Sequence, residues 1–414
     1  MISVKNKFKT RSLLMAVIIL VLTACNKDPE EIAGITPADS SGLSIAETLA
    51  TIPTYSLFNK IVVKGGMAAA LGDKSLTYTL FALDNDAMIA SFGGSEGSVN
   101  ATIAALPPAS WAGIVKYLMI PQKLTSAQIV HGFPNMQMPT DIVLDPTNSL
   151  VRMTSFPSKN PSTNAYYFNN VPVTAVDMEV ANGIIHQIAF LSPPPQMVLK
   201  SALDTNTNLN YFRAAIARAD IGQTGLNRFD SLLNYAVTNM TVLAPSDAAF
   251  QTLIFGLAFQ GYLSSRPMPY TATDTANAVA TGNGAVAAGP AFLSTNNVST
   301  DLVRGIIAYH LLATPNPSTG AFEPNIRVFS VNFSPTPSFV TTLVNSAPGA
   351  GQHPGIMVNA TFTGPFVTDL KFVGLGTFPP GGAPFSGTPA TAISSDNHAV
   401  NGVYYVIDHV LLPQ

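Results

Sequence analysis

The sequence feature that most constrains the fold is an internal repeat. Three short motifs occur twice along the chain, in the same order. With the first copy before the second, they are "YTLFALDNDAM" (78–88) and "MTVLAPSDAAF" (240–250), "WAGIVKYLMI" (111–120) and "LVRGIIAYHLL" (302–312), and "VANGIIHQIAFLSP" (180–193) and "AVNGVYYVIDHVLLP" (399–413). A repeat of this size indicates two copies of one folding unit.

The spacing of these motifs and the proline content predict the domain boundaries. The segment "SPPPQ" (192–196) is a natural linker, since three prolines hold it extended. This gives a first domain at 44–192 and a second at 196–414. The matched motifs lie further apart in the second copy, which places insertions near 264–300 and 345–397. Both insertions are rich in small residues, proline or glycine, so they predict long loops.

The apolar pattern favours the α+β class. Each copy opens with helical periodicity, as at Leu57, Phe58 and Ile61. Strand-like alternation follows later, in "DIVLDPTNSLVRM" (141–153) and in "IRVFSVNF" (326–333). Helices that precede antiparallel strands favour α+β over a doubly wound parallel sheet.

The N-terminus predicts export and lipid attachment. A basic stretch (5–11) precedes the apolar run "LLMAVIILVL" (13–22), which is typical of a secretory signal and too short to span a bilayer. The following "LTAC" resembles a bacterial lipobox, so we expect a signal peptide at 1–24 and acylation of Cys25. The alternative is an ordinary signal peptide that contains a cysteine. Residues 25–43 form an acidic tether that resembles the export signal of surface lipoproteins in the Bacteroidetes.

Charge and cysteine content exclude two classes. The formal net charge is −3 and no basic run follows the N-terminal signal, which argues against a nucleic-acid partner. Cys25 is the only cysteine, so a disulfide framework is excluded.

Taken together, the three motifs resemble the fasciclin domain, present twice. The second copy carries the family motif residues more fully, at Thr241, Pro245, Ser246, Asp247, Phe250, Tyr309, His310, Asn401, Gly402 and Asp408. The first copy has Leu118 in place of the histidine and Ala189 in place of the last aspartate. The resemblance implies two domains, each a β-sandwich or wedge with several packed helices. It also implies a role in adhesion or matrix association, and no enzymatic activity.

Ser246 and Asp247 allow two interpretations. They are placed to be a nucleophile and an acid at a strand-to-helix turn, or to cap the helix that follows. The first copy has Asp84 and Asn85 at the same point. A cap tolerates that exchange and a nucleophile does not, so we predict capping.

The other candidate side chains also have structural alternatives. Tyr309 and His310 follow an apolar helical stretch and are predicted mainly to pack in the core, although in the family this pair is tied to both folding and adhesion. Trp111, the only tryptophan, is either a sugar-stacking residue or a core residue at a helix start. "GGSEG" (93–97) formally matches a nucleophile elbow but follows a helical stretch, so it predicts a helix stop and loop.

No motif indicates a metal, a cofactor or catalytic residues. The histidines show no metal-ligand spacing, and no glycine-rich phosphate loop opens a helix after a strand. The resemblance to the fasciclin domain and the N-terminal signal together imply a non-enzymatic adhesion or matrix-association protein, anchored in the outer membrane through acylated Cys25 and exposed at the surface. Its partner would be an extracellular protein or a glycan. The alternative is a carbohydrate-binding accessory lipoprotein of a glycan uptake system.

Overall fold

Short helices build the first half of copy one. The computed structural model describes residues 41–160, 162–294, 298–346, 355–376 and 388–413. The first helix begins in a capping box: the Ser44 hydroxyl accepts a hydrogen bond from Glu47 N, and the Glu47 carboxylate accepts one from Ser44 N. The helices are α1 (Ile45–Thr51), α2 (Ser56–Lys64), α3 (Ala68–Gly72), α4 (Asn85–Ser91), α5 (Glu96–Ala105) and α6 (Pro108–Tyr117). Their apolar faces share one core with the strands that follow.

The first sheet has six strands in the order β2-β1-β8-β7-β6-β5. The strands of this sheet are β1 (Tyr78–Ala82), β2 (Met119–Ile120), β5 (Pro157–Lys159), β6 (Tyr166–Phe168), β7 (Val171–Val180) and β8 (Gly183–Ile188). The first and last motifs of the copy lie side by side, because β1 pairs in parallel with β8 while every other pairing is antiparallel.

A separate two-stranded ribbon confirms the strand prediction for 141–153. β3 (Met138–Asp145) and β4 (Asn148–Ser155) pair antiparallel and form a sheet of their own. Met138 and Met153 face the first core, while Val143 and Leu150 are exposed.

The second copy also begins with helices: α7 (Leu199–Thr205), α8 (Asn210–Ala219), α9 (Phe229–Asn234), α10 (Asp247–Ser264), α11 (Ala272–Ala287) and α12 (Thr300–Tyr309). The loop prediction for 264–300 is therefore wrong over most of its length. Thr271 and Asp274 form a capping box that starts α11, and the helix then packs against α10. Its small residues allow close approach, since Gly282 lies against the ring of Phe255.

The second sheet also has six strands, in the order β12-β13-β14-β15-β16-β9. Its strands are β9 (Met240–Pro245), β12 (Ser338–Val340), β13 (Ile356–Thr363), β14 (Phe366–Val373), β15 (Ala390–Ala399) and β16 (Gly402–Ile407). β9 and β16 are again the one parallel pair in this sheet. A further small ribbon joins β10 (Thr314–Pro315) to β11 (Phe322–Glu323). The loop prediction for 345–397 is wrong where β13, β14 and β15 form. The α+β class is confirmed.

The segment "IRVFSVNF" is not a strand, contrary to the sequence prediction. It runs as irregular backbone into a 3-10 helix at Ser330–Asn332. All eight residues from 326 to 333 are buried, so the alternation does not separate a core face from a solvent face. The segment is instead enclosed between the second core and the first copy. Leu43–Gln414 accordingly forms one compact unit.

Candidate functional site

The turn after β9 confirms the capping prediction. The Ser246 hydroxyl accepts a hydrogen bond from Ala249 N at 3.2 Å, at the start of α10. The Asp247 carboxylate accepts hydrogen bonds from Tyr211 N at 2.9 Å and from Asn210 Nδ2 at 2.7 Å, at the start of α8. The pair therefore holds two helix N-termini to the end of β9.

The first copy makes the same contacts with different residues. The Asp84 carboxylate accepts from Ala87 N at 2.7 Å, and Asn85 Oδ1 accepts from Leu57 N at 3.0 Å. Because an amide replaces the carboxylate without loss of the contact, the position requires an acceptor rather than an acid.

Thr241 has a hydrogen-bonding role that the sequence did not indicate. Its hydroxyl donates to Ile326 O at 2.6 Å and accepts from Val328 N at 3.0 Å, so it ties β9 to the buried irregular segment. In the first copy the Thr79 hydroxyl donates to Gln122 O at 2.7 Å and accepts from Leu124 N at 2.8 Å.

Two more motif residues are packed at the same end of β9. Pro245 is the last residue of β9 and is buried. The ring of Phe250 is also buried, with its centroid 6.3 Å from that of Tyr211. Both positions therefore belong to the framework.

Tyr309 and His310 are completely engaged inside the protein. The Tyr309 hydroxyl donates to Gly355 O at 2.8 Å, and burial raises the pKa of Tyr309 to about 12. His310 Nε2 accepts a hydrogen bond from Leu411 N at 3.0 Å, so the proton is on Nδ1, which donates to Ile306 O at 2.7 Å. Burial lowers the pKa of His310 to about 4, which keeps the ring neutral.

Asn401 and Asn182 connect helices in the two copies. Asn401 Oδ1 accepts from Leu199 N at 2.7 Å, and its Nδ2 donates to Leu233 O at 2.9 Å. Asn182 does the same with Ile45 N at 2.8 Å and Leu71 O at 2.9 Å. Each asparagine thus joins the start of the first helix of its copy to the end of a later one.

The glycines that follow these asparagines allow backbones to approach closely. A Cβ on Gly183 would lie 1.8 Å from Tyr78 O, and one on Gly402 would lie 2.4 Å from Met240 O. Gly183 also has φ +147°. Only glycine fits where β8 and β16 meet their parallel partners.

Asp408 links the end of β16 to β15 in the second sheet. Its carboxylate accepts hydrogen bonds from Thr391 N at 2.7 Å and from His409 Nδ1 at 2.8 Å. Every motif residue inside the described ranges therefore lies in the framework rather than at a reactive surface. Cys25 lies outside the described residues.

Trp111 is not a ligand contact. It is 0% exposed, its Nε1 donates to Ile103 O at 3.3 Å, and its ring packs edge-on against Phe92. The core interpretation is confirmed and the sugar-stacking interpretation is wrong, because α6 turns this side chain into the first core. "GGSEG" likewise ends α4, at Gly93 and Gly94 with positive φ, and Ser95 caps α5.

The seam between the two copies is polar and buried, which the sequence did not reveal. Asn135 Nδ2 donates to Arg327 O at 2.8 Å, Asn160 Nδ2 donates to Val331 O at 2.8 Å, and the Tyr167 hydroxyl donates to Pro365 O at 2.8 Å. Each of these bonds joins the first copy to the second.

Arg327 is the central side chain of this seam. It is 1% exposed, lies over the ring of Phe156 at 4.8 Å, and donates to Asn239 Oδ1, to Val400 O and to His398 Nε2. Burial lowers the pKa of Arg327 to about 10 and that of His398 well below its ordinary value. The ring therefore stays neutral beside the guanidinium.

Among the concave surfaces of the described residues, one lies at the seam and one at the insertion. The seam cleft, of about 460 Å³, lies between the β3–β4 ribbon and the segment 236–239 with Val400. The insertion groove, of about 650 Å³, lies between α10, α11 and α12 and includes Tyr262 and Phe292. Within the described ranges, no helix has the length and apolar character needed to cross a membrane, and no group of three or more His, Cys, Asp or Glu side chains is placed to hold a metal ion.

Comparison with known proteins gives a family for part of the chain. Residues 53–191 match the family model of the fasciclin domain. No curated protein matches the chain. Among solved structures, a fasciclin domain pair from the insect cell adhesion molecule fasciclin I shares 14% identity, over 87% of this chain and 97% of that chain, with a TM-score of 0.31. The second copy, outside the match, repeats the parallel pairing and the asparagine contacts of the first. The first copy is therefore similar to the fasciclin domain over residues 53–191, and the second copy shares these features with it.

Proposed function

We propose that this protein is a non-enzymatic adhesion or matrix-association protein, anchored in the outer membrane through acylated Cys25 and exposed at the cell surface. The observation that carries the proposal is the fasciclin domain at 53–191, since fasciclin domains are associated with cell adhesion. The polar atoms of the motif side chains bond within the fold, so the proposal places contact with a partner at other residues.

The contact surface in this proposal is the inserted helical hairpin of the second copy. Met268, at the turn between α10 and α11, is 78% exposed, and Tyr270 beside it is also exposed. The insertion groove lies along the same hairpin. Apolar and aromatic side chains at an exposed turn are typical of protein contact sites.

The test is binding of the soluble chain 26–414 to cells, matrix proteins and glycan arrays. We expect retention on cells or matrix, and weaker retention of the variant Met268→Ser/Tyr270→Ser. The variant Val63→Ser, which changes an exposed apolar residue on α2, is the control. Uniformly absent binding would contradict adhesion, and equal binding of all variants would contradict the assigned surface.

The anchor needs its own measurement. We expect metabolic palmitate labelling of the full chain in a bacterial host, and its loss in Cys25→Ala. Labelling that persists in Cys25→Ala would show that the lipobox prediction is wrong.

Carbohydrate binding, as an accessory of a glycan uptake system, is the second candidate. It is favoured by Tyr262, whose ring lines the insertion groove and is covered by the Arg266 guanidinium at 4.6 Å. Saccharide-dependent protection of Tyr262 and Tyr270 from chemical nitration would support it. Trp111 fluorescence is unsuited to this test because the ring is in the core.

A further inference from the structure

The seam cleft has one wall made by a strand with a free edge. β4 pairs with β3 alone, and across the described ranges no backbone–backbone hydrogen bond joins residues 148–155 to any other element. Leu150, Val151 and Arg152 all line the cleft. Leu150, Arg152 and Thr154 share one face of the ribbon, where Pro139 and Leu144 of β3 also line the cleft. Val151 points to the opposite face, so its contact extends the cleft from that face to the edge of β4.

The opposite wall carries polar groups with spare hydrogen-bonding capacity. Asn239 is buried, and its Oδ1 accepts from Arg327, while its Nδ2 donates to no group in the described part of the chain. On the ribbon wall, the side chains of Gln137 and Thr154 also line the cleft and make no hydrogen bond in those ranges either. The cleft volume of about 460 Å³ is within the usual range of ligand sites.

The charge around the cleft is positive. Arg152 is the only charged lining residue, and it is paired with Asp141 at 3.1 Å. Behind the wall, the buried Arg327 guanidinium donates to Asn239 and Val400, both of which line the cleft. Among the described residues no carboxylate lies within 4.0 Å of Arg327, so its charge is not neutralised. A buried charge is poorly screened by salt and acts on a ligand in the cleft.

We propose that the seam cleft binds an extended, acidic peptide segment of a partner protein, which adds to the free edge of β4 as a third strand. Main-chain hydrogen bonds to β4 would supply affinity, and an acidic side chain directed at Asn239 would supply specificity through the Arg327 charge. This site is separate from the insertion surface proposed for adhesion and does not depend on it.

The other occupants fit the cleft less well. A second copy of β4 would bring another arginine and no acid, since the strand sequence is "NSLVRMTS". A glycan would meet no aromatic ring among the lining residues. An acidic strand meets both the unpaired edge and the uncompensated charge.

The ligand-side experiment uses the purified protein and a hexapeptide library, acetylated and amidated, with Val, Ile or Thr at alternate positions. A central position is fixed as Glu in one pool and as Gln in the other. We expect the Glu pool to bind about tenfold more tightly, with a difference that changes little as NaCl rises, because the buried charge is poorly screened. Two further peptides carry N-methyl groups on every second backbone nitrogen, at odd positions in one and at even positions in the other. Only one of them should lose binding, because only one set of N–H groups faces β4.

The protein-side experiment uses Asn239→Asp, which is isosteric and places a carboxylate against Arg327. We expect at least about a tenfold loss of Glu-pool binding and little change for the Gln pool. Asn100→Asp, on α5 beside Lys60, makes the same charge change away from the cleft and should bind as the parent does. Equal binding of the two pools, insensitivity to N-methylation in both phases, or no effect of Asn239→Asp would overturn the proposal. If Asn239→Asp, and not the control, removed saccharide binding or self-association, the occupant would be a glycan or a second copy of the chain, and the peptide proposal would be overturned.

Discussion

Asn182 and Asn401 each satisfy backbone groups that a helix leaves unpaired at its ends. Both amide groups are buried and use their oxygen and nitrogen together. Asparagine suits this position because it alone, among side chains of its size, offers an acceptor and two donors at one carbon.

We expect Asn401→Ala to reduce the free energy of unfolding by about 2–4 kcal/mol, because Leu199 N and Leu233 O would remain buried without partners. Urea denaturation measures the change. Asn277→Ala, on the exposed face of α11, is the control and should change stability by less than about 0.5 kcal/mol. Similar values for both variants would contradict the connecting role.

His310 makes stability depend on pH in a defined direction. Its pKa is about 4 in the fold and near its ordinary value of 6.5 when unfolded, so the unfolded chain takes up the proton first as pH falls. The neutral His310 ring therefore makes its full contribution to the free energy of unfolding above about pH 6.5. This contribution decreases by about 3 kcal/mol as the pH falls to about 4.

The variant His310→Leu, which copies Leu118 of the first copy, tests this dependence. We expect it to be less stable at pH 7, because Leu411 N loses its acceptor and Ile306 O keeps only the backbone N–H of residue 310. We also expect a shallower decrease in unfolding free energy between pH 6.5 and pH 4. His131→Gln, at an exposed position, is the control. A slope equal to that of the parent protein would contradict a buried neutral ring.

At the scale of elements, each sheet contains one parallel strand pair, and a glycine allows the two backbones of that pair to approach closely. We expect Gly183→Ala to cost more than about 3 kcal/mol, because a Cβ would collide with Tyr78 O. Gly113→Ala, inside α6 with nothing within 4 Å of its Cβ position, should instead stabilise by about 0.5–1 kcal/mol. Thermal unfolding of the two variants gives the comparison, and destabilisation by both would count against a specific close approach.

The sequence predicted elements where local chemistry decides the conformation. The cap at Ser246 and the β3–β4 ribbon both follow from short-range rules. It failed for α11 because small residues such as Gly282 indicate a loop by composition, and only the facing ring of Phe255 explains them. Arg327 was missed because the first copy, which buries it, is far away in sequence.

At the scale of the whole molecule, the seam joins the copies so closely that Phe156 and Tyr167 belong to the core of the second copy. Trp111, the only tryptophan, reports on the first copy alone, whereas far-UV circular dichroism reports on both. We expect the two signals to give coincident urea transitions in the parent protein.

The variant Phe156→Ala should separate these transitions, because it removes the ring between Arg327 and Phe329. Phe58→Ala, in the first core away from the seam, should lower the free energy of unfolding by about 3–5 kcal/mol, as Phe156→Ala should. Its two transitions should still coincide. Separate transitions already in the parent protein would show that the seam does not couple the copies.

The parallel pairs also determine the order in which the chain is able to fold. β9 pairs with β16, so residue 240 cannot form its strand pairing until residue 402 is present. In the same way, β1 cannot pair until β8 is present. Contacts between such distant residues must close large loops before they stabilise anything, which slows folding. Neither copy completes its parallel strand pair until the last strand of that copy has been synthesised.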